Sequence, residues 1–155
     1  MVSDFESHER WGMFELENVG AGGDVVDAGS VAEGCEHATV VLLRGHYCPD
    51  SRKLVRTLRD HYGAFRERET AVLPVLPAIH ERARLWDRQY DLPFPLLVDG
   101  ESGSFGVFEP LRETSDSLPA VALCNCHSKR LRFVETLSGP VPAGGTVLDR
   151  LDSYR

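Results

Sequence analysis

The chain has 155 residues, 42% apolar and 26% charged, which suits one folded domain over 1–155 with a core that needs no staples. Its formal charge of −7 speaks against nucleic-acid binding, which needs a concentrated basic surface, and its apolar runs fall far short of the roughly 20 residues that span a bilayer. The basic side is almost all arginine, 15 against 2 lysines, a balance that suits a high-salt cytoplasm and equally a GC-rich genome.

The N-terminal stretch Met1 to Arg10 is charged and has no apolar centre, so no secretory leader is expected and the cytoplasm is the expected compartment. The first 35 residues read as an irregular extension. Phe14 to Val19 alternates like a half-buried strand at a sheet edge, Gly20 to Gly23 breaks it, and Val25 to Glu33 reads as loop with at most a helical turn. From residue 39 the signals sharpen. Thr39-Val40-Val41-Leu42-Leu43 is an unbroken β-branched and aliphatic run, the mark of a strand covered on both faces. A loop, Arg44 to Tyr47, leads to Cys48 and Pro49, and Leu54, Leu58, Tyr62 and Phe65 then recur at helical spacing. Proline favours the first helical position, which makes Cys48 the N-cap.

A strand follows over Ala71 to Leu76, in which Pro74 removes a ladder donor and predicts an edge or a bulge. Ile79, Ala83, Trp86 and Tyr90 share one face of a helix that Pro93 stops. Leu96 to Val98 is a short strand ended by Asp99-Gly100, and a short helix is expected over 102–108. Pro119 to Cys124 and Leu131 to Thr136 read as a hairpin, and Thr146 to Tyr154 as a last helix. This order predicts an α/β domain: a central mixed sheet with helices on both faces.

Without an export signal, Cys35, Cys48, Cys124 and Cys126 read as reduced thiols, and a buried inert thiol is the default for each. Cys48 differs by position. A helix N-terminus offers unpaired N–H groups and a positive dipole end, both of which stabilise a thiolate. Ser51, three residues on, can donate to its sulfur. Arg44, Arg52, Lys53 and Arg56 add positive charge and Asp50 opposes them, so Cys48 is expected below the free-thiol pKa of about 8.5. Cys124-Asn125-Cys126-His127 holds a single close cysteine pair, too few ligands for structural zinc. No metal site and no cofactor site is read. On a strand, Cys124 and Cys126 would share a face.

Residues 41–53, VLLRGHYCPDSRK, resemble the active-site segment of the peroxiredoxin-like (AhpC/TSA, redoxin-type) branch of the thioredoxin superfamily. The resemblance continues through Tyr62-Gly63-Ala64-Phe65, Leu92-Pro93-Phe94-Pro95 and Leu118-Pro119-Ala120-Val121, over roughly 39–137. It implies a thioredoxin-like fold, a nucleophilic Cys48, and reduction of a small-molecule peroxide or a protein disulfide with an external thiol reductant; it leaves a homodimer open. It also implies that Pro119 is the cis proline facing the active cysteine. Two positions depart from the family pattern. Ser51 stands where a second motif cysteine is common, so C-x-x-C becomes C-x-x-S. Val41 and Gly45 stand where peroxiredoxins carry proline and a peroxide-orienting threonine or serine. Arg44 is the expected electrostatic support, and Cys35, Cys124, Cys126 or an external thiol would resolve an oxidised Cys48. The alternative is a non-catalytic binding or adaptor domain with Cys48 a relic, because a fold does not dictate a function.

Overall fold

A computed structural model describes residues 14–99, 108, 118–127, 130–137 and 144–154. Its strands are β1 (Glu15–Asn18), β2 (Val25–Asp27), β3 (His37–Leu42), β4 (Thr70–Leu76), β5 (Leu97–Val98), β6 (Ala120–His127) and β7 (Arg130–Leu137). Its helices are α1 (Ala28–Gly34), α2 (Pro49–Asp60), α3 (Tyr62–Glu67), α4 (His80–Tyr90) and α5 (Gly144–Asp152). One sheet holds all seven strands in the order β2-β1-β5-β4-β3-β6-β7. The β3–β4 and β4–β5 pairs are parallel and the others antiparallel, the mixed sheet expected.

β3 is buried along its whole length, and its alternate side chains supply two cores. Val41 shares the core on one face with Leu54 and Leu58 of α2, Trp86 of α4 and Leu151 of α5. Ala38, Val40 and Leu42 share the core on the other with Ala28 and Val31 of α1, so helices cover both faces. Phe108, the one described residue of the helix expected over 102–108, is buried there against Phe14, ring centroids 5.1 Å apart.

Residues 14–35 are more regular than expected. β1 and β2 form an antiparallel hairpin, and Val25 to Glu33, expected as loop, holds β2 and most of α1. Asp27 caps α1, its carboxylate accepting from Ser30 N–H at 2.7 Å, a capping signal that lies open in the sequence. β2 is the edge strand; β1 lies inside it, paired with β5. Asn18, buried at the end of β1, accepts from the Gly20 and Leu96 N–H groups, each at 2.9 Å, and donates to the Ala21 and Gly23 carbonyls, each at 2.8 Å. Gly20 packs so closely that a Cβ would meet Leu96 N at 2.6 Å.

Three expectations need correction. Pro74 sits in an interior strand, not at an edge or bulge. The Val75 carbonyl turns toward β3, accepting from Leu43 N–H, and the Leu76 carbonyl turns the other way, accepting from Asp99 N–H. Pro74, in phase with Leu76, therefore directs its missing donor toward β5, which pairs only with Val75 and Leu76. Second, the helix after Cys48 breaks at His61, whose main-chain N–H and ring Nδ1 both converge on the Thr57 carbonyl. Third, Ile79 precedes α4 as its N-cap and is 37% exposed, while Ala83, Trp86 and Tyr90 form the buried face. Arg68, after α3, grips Asp152 of α5 at 2.7 and 3.0 Å. No described helix is long and apolar enough to cross a membrane.

Candidate active site

Leu43 N–H bonds to Val75 O, and the chain then leaves β3 and turns through residues 44–47. Cys48 N–H closes this turn on the Gly45 carbonyl at 3.2 Å. Cys48 is the N-cap of α2 and Pro49 its first residue, as the sequence predicts. The Cys48 sulfur, 5% exposed, accepts from Ser51 N–H at 3.4 Å. Ser51 is wholly buried, and its hydroxyl accepts from Arg44 N–H at 2.9 Å. Ser51 thus joins the two ends of the loop, its main-chain N–H on the sulfur and its hydroxyl on the Arg44 N–H.

Burial, the strongest single influence on Cys48, pushes its thiol up. Hydrogen bonds from the Ser51 hydroxyl, the Ser51 N–H and the Asp50 N–H act the other way, against the Asp50 carboxylate. The net direction is down, as expected, but the cause differs: hydrogen bonds at the helix end lower it, not the expected cations. Arg44, Lys53 and Arg56 are exposed, and Arg52 turns its Nε–H to the His46 carbonyl at 3.0 Å. Arg44 meets the site through its main-chain N–H.

Two residues hold this loop in a way the sequence reading does not assign. Arg52 is one; the other is Trp86 of α4, whose indole N–H donates to the same His46 carbonyl at 3.0 Å. Helical periodicity marks Trp86 as core, and the hidden signal is that a buried indole N–H needs an acceptor. Tyr47 stands 63% exposed at the rim with its ring edge-on to His46. Gly45 is buried, and a Cβ there would meet the Tyr47 ring at 2.6 Å. The Leu118–Pro119 bond is cis. Ala120 pairs with Leu42, so Pro119 opens β6 at the sheet edge where β3 gives way to the Cys48 loop.

The other thiols lie elsewhere. Ala38, not Leu42, pairs with Cys124, so Cys124 is roughly 13 Å down the sheet from the Cys48 end and Cys126 roughly 20 Å, at about 3.3 Å per residue. Cys124 is buried in the core under α1, on the face opposite α2. Cys35 follows α1, before the far end of β3. The structure does not bring these three candidate resolving cysteines to Cys48. Burial raises all three: Cys35 further through Glu69, Cys124 further through Cys126, and Cys126, with Cys35 beside it, up to about 12. Among the described residues no group of His, Cys, Asp and Glu could hold a metal ion.

The sequence profile of the AhpC/TSA family matches residues 12–131. The chain belongs to the AhpC/TSA family. No curated protein sequence matches it. Solved structures share the fold. Enterococcus faecalis AhpC is 12% identical with a TM-score of 0.73, over 92% of this chain and 87% of that one. Yeast mitochondrial 1-Cys peroxiredoxin is 13% identical with a TM-score of 0.70, over 92% and 72%. A secreted Mycobacterium tuberculosis disulfide oxidoreductase is 14% identical with a TM-score of 0.66, over 94% and 98%. This AhpC/TSA member is thus a thiol oxidoreductase by family, with the thioredoxin-like fold of peroxiredoxins and disulfide oxidoreductases alike.

Proposed function

We propose that this AhpC/TSA protein reduces hydroperoxides through Cys48 and is returned to its starting state by an external thiol. The observation that carries the reading is the Cys48 sulfur at a helix N-terminus, accepting from the Ser51 N–H, which favours the thiolate, the nucleophilic form. The thiolate attacks the O–O bond: a sulfur–oxygen bond forms, the oxygen–oxygen bond breaks, and the leaving oxygen takes up a proton as water or alcohol. The external thiol then attacks the sulfenic sulfur, forming a mixed disulfide and releasing water, and a second thiol frees Cys48. A protein disulfide is the other substrate this thiolate suits, by attack on sulfur instead of oxygen.

Ser51 has no thiol to offer and Cys35, Cys124 and Cys126 lie at the far end of the sheet, which is why the resolving thiol is placed outside the chain. The yeast 1-Cys relative is resolved through glutathione and thioredoxin systems, which supports the same division of labour. All four cysteines are free thiols, in keeping with a reducing compartment; the cytoplasm and a homodimer remain part of the proposal.

Mass-spectrometric labelling of the four thiols across pH tests it. Cys48 is expected to be alkylated first at neutral pH, to take up one oxygen from stoichiometric peroxide, and to lose that reaction on Cys48→Ser. If Cys48 reacts no faster than a free thiol and takes up no oxygen, the protein is a binding or adaptor domain.

A further inference from the structure

The thiols remote from Cys48 form a group of their own. Cys35 closes α1, its N–H donating to Val31 O at 3.0 Å. The next residue, Glu36, gives its carbonyl to Cys126 N–H at 3.0 Å. Cys126 therefore lies opposite Glu36, one residue from Cys35, which stands at the C-cap of α1 and outside the ladder of β3; a disulfide asks for Cα atoms roughly 4.4–6.8 Å apart. Both side chains are partly exposed, whereas Cys124 is fully buried. Cys126 packs on the core under α1. Cys35 lines a cavity of about 400 Å³ with Val31 and Gly34 of that helix, a path for a small oxidant. The charge that Cys35 would carry opposes ionisation of Cys126, as expected of thiols that lie close.

We infer that Cys35 and Cys126 are a second dithiol, which closes to a disulfide under sustained oxidation and ties the end of α1 to β6, independently of Cys48. The oxidant is a hydroperoxide. The Cys35 sulfur attacks the O–O bond, a sulfenic acid forms, and the leaving oxygen departs as water with the thiol proton. The Cys126 sulfur then attacks the sulfenic sulfur; the S–S bond forms as the S–O bond breaks, and hydroxide leaves as water with the second thiol proton. Two thiols lose two electrons, and one hydrogen peroxide becomes two waters. Burial keeps both thiols protonated, so the pair closes slowly and records prolonged exposure, while Cys48 answers at once.

The test is made on the full chain carrying Cys48→Ser and, separately, on the wild-type chain with Cys48 first blocked by brief alkylation, which guards against a folding defect in the variant. Each is treated with excess hydrogen peroxide, quenched with N-ethylmaleimide, and mapped by non-reducing peptide mass spectrometry. The expected result is a mass lower by two hydrogens, a Cys35–Cys126 linked peptide, Cys124 as the one thiol labelled after denaturation, and reversal by dithiothreitol. The link persists in Cys124→Ser and disappears in Cys126→Ser. The inference is overturned if all three thiols remain alkylatable, or if the link joins Cys124 or two chains. Neither outcome bears on Cys48, which is absent or blocked throughout.

Discussion

Ser51 is the residue on which the site turns. It stands where the family commonly has a second cysteine, and this chain uses it as a donor to one sulfur and an acceptor for one main-chain N–H. Ser51→Ala removes the hydroxyl, and with it the acceptor for Arg44 N–H, but keeps the main-chain N–H on the sulfur. The Cys48 pKa is expected to rise toward the free value, labelling at neutral pH to slow, and urea unfolding to show a loss of about 1 kcal/mol from the orphaned Arg44 N–H. Because the folded Cys48 pKa lies below the unfolded one, its contribution to stability is present above the unfolded value of about 8.5 and lost as pH falls through the folded value. Gly45 is the second telling residue. A threonine there would displace the Tyr47 ring, which is exposed and free to swing away, and would place a hydroxyl where the family orients peroxide. Gly45→Thr is expected to speed sulfenic acid formation about tenfold, the worth of one hydrogen bond of about 1.4 kcal/mol to the developing charge; an unchanged rate under stopped-flow would show that the hydroxyl is not what this site lacks.

At the scale of elements, α4 reaches into the active site although nothing on it is reactive. Trp86→Phe keeps the buried ring and deletes the N–H that holds the His46 carbonyl. The expected cost is about 1 kcal/mol in unfolding, together with slower Cys48 labelling as the loop loosens, and Arg52 keeps the carbonyl partly held. β6 carries a different consequence, through Cys124 and Cys126. Both stay protonated when folded, while in the unfolded chain they ionise near 8.5. Their contribution is therefore present below that value and lost as pH rises above it, by at most about 1.4 kcal/mol per pH unit per thiol. Cys124→Ala should be less stable near neutrality, from the lost packing, yet show a shallower decline between pH 8 and 10 in urea titrations.

Across the whole molecule, the parts legible in the sequence are those that local patterns dictate. The unbroken run at 39–43 marks β3, proline after Cys48 marks the N-cap, and 3.6-residue spacing marks the buried face of α4. Long-range register is not written locally. Nothing between Cys35 and Cys126 announces that β3 and β6 run antiparallel, and that arrangement carries Cys124 and Cys126 away from Cys48, as the length of β3 itself carries Cys35. Pro74 misleads for the same reason, since its tolerance depends on where β5 begins, far along the chain. The Cys48 site was half legible: the cap geometry was visible, whereas the primacy of hydrogen bonds over cations required knowing that Arg52 turns to His46. A direct check is to oxidise the wild-type chain with one equivalent of peroxide and map it without reduction. No disulfide should include Cys48 until a small thiol is added.

The short β5 gives the molecule a weak seam. The β1–β2 hairpin joins the rest of the sheet through two residue pairs, Glu17 with Val98 and Asn18 with Leu97; three of the four side-chain hydrogen bonds of Asn18 hold the hairpin's own turn, and the fourth, from Leu96 N–H, ties that turn to the segment leading into β5. A unit so attached can open without disturbing β3 or β4, so amides over 15–27 should exchange with deuterium well before those of the central strands. Asn18→Ala should quicken that exchange roughly ten- to a hundredfold, for buried hydrogen bonds worth about 1–3 kcal/mol, and leave the slowest amides of β3 untouched. The hairpin would then breathe on its own clock, a separately melting flap on a frame whose reactive end stays shut.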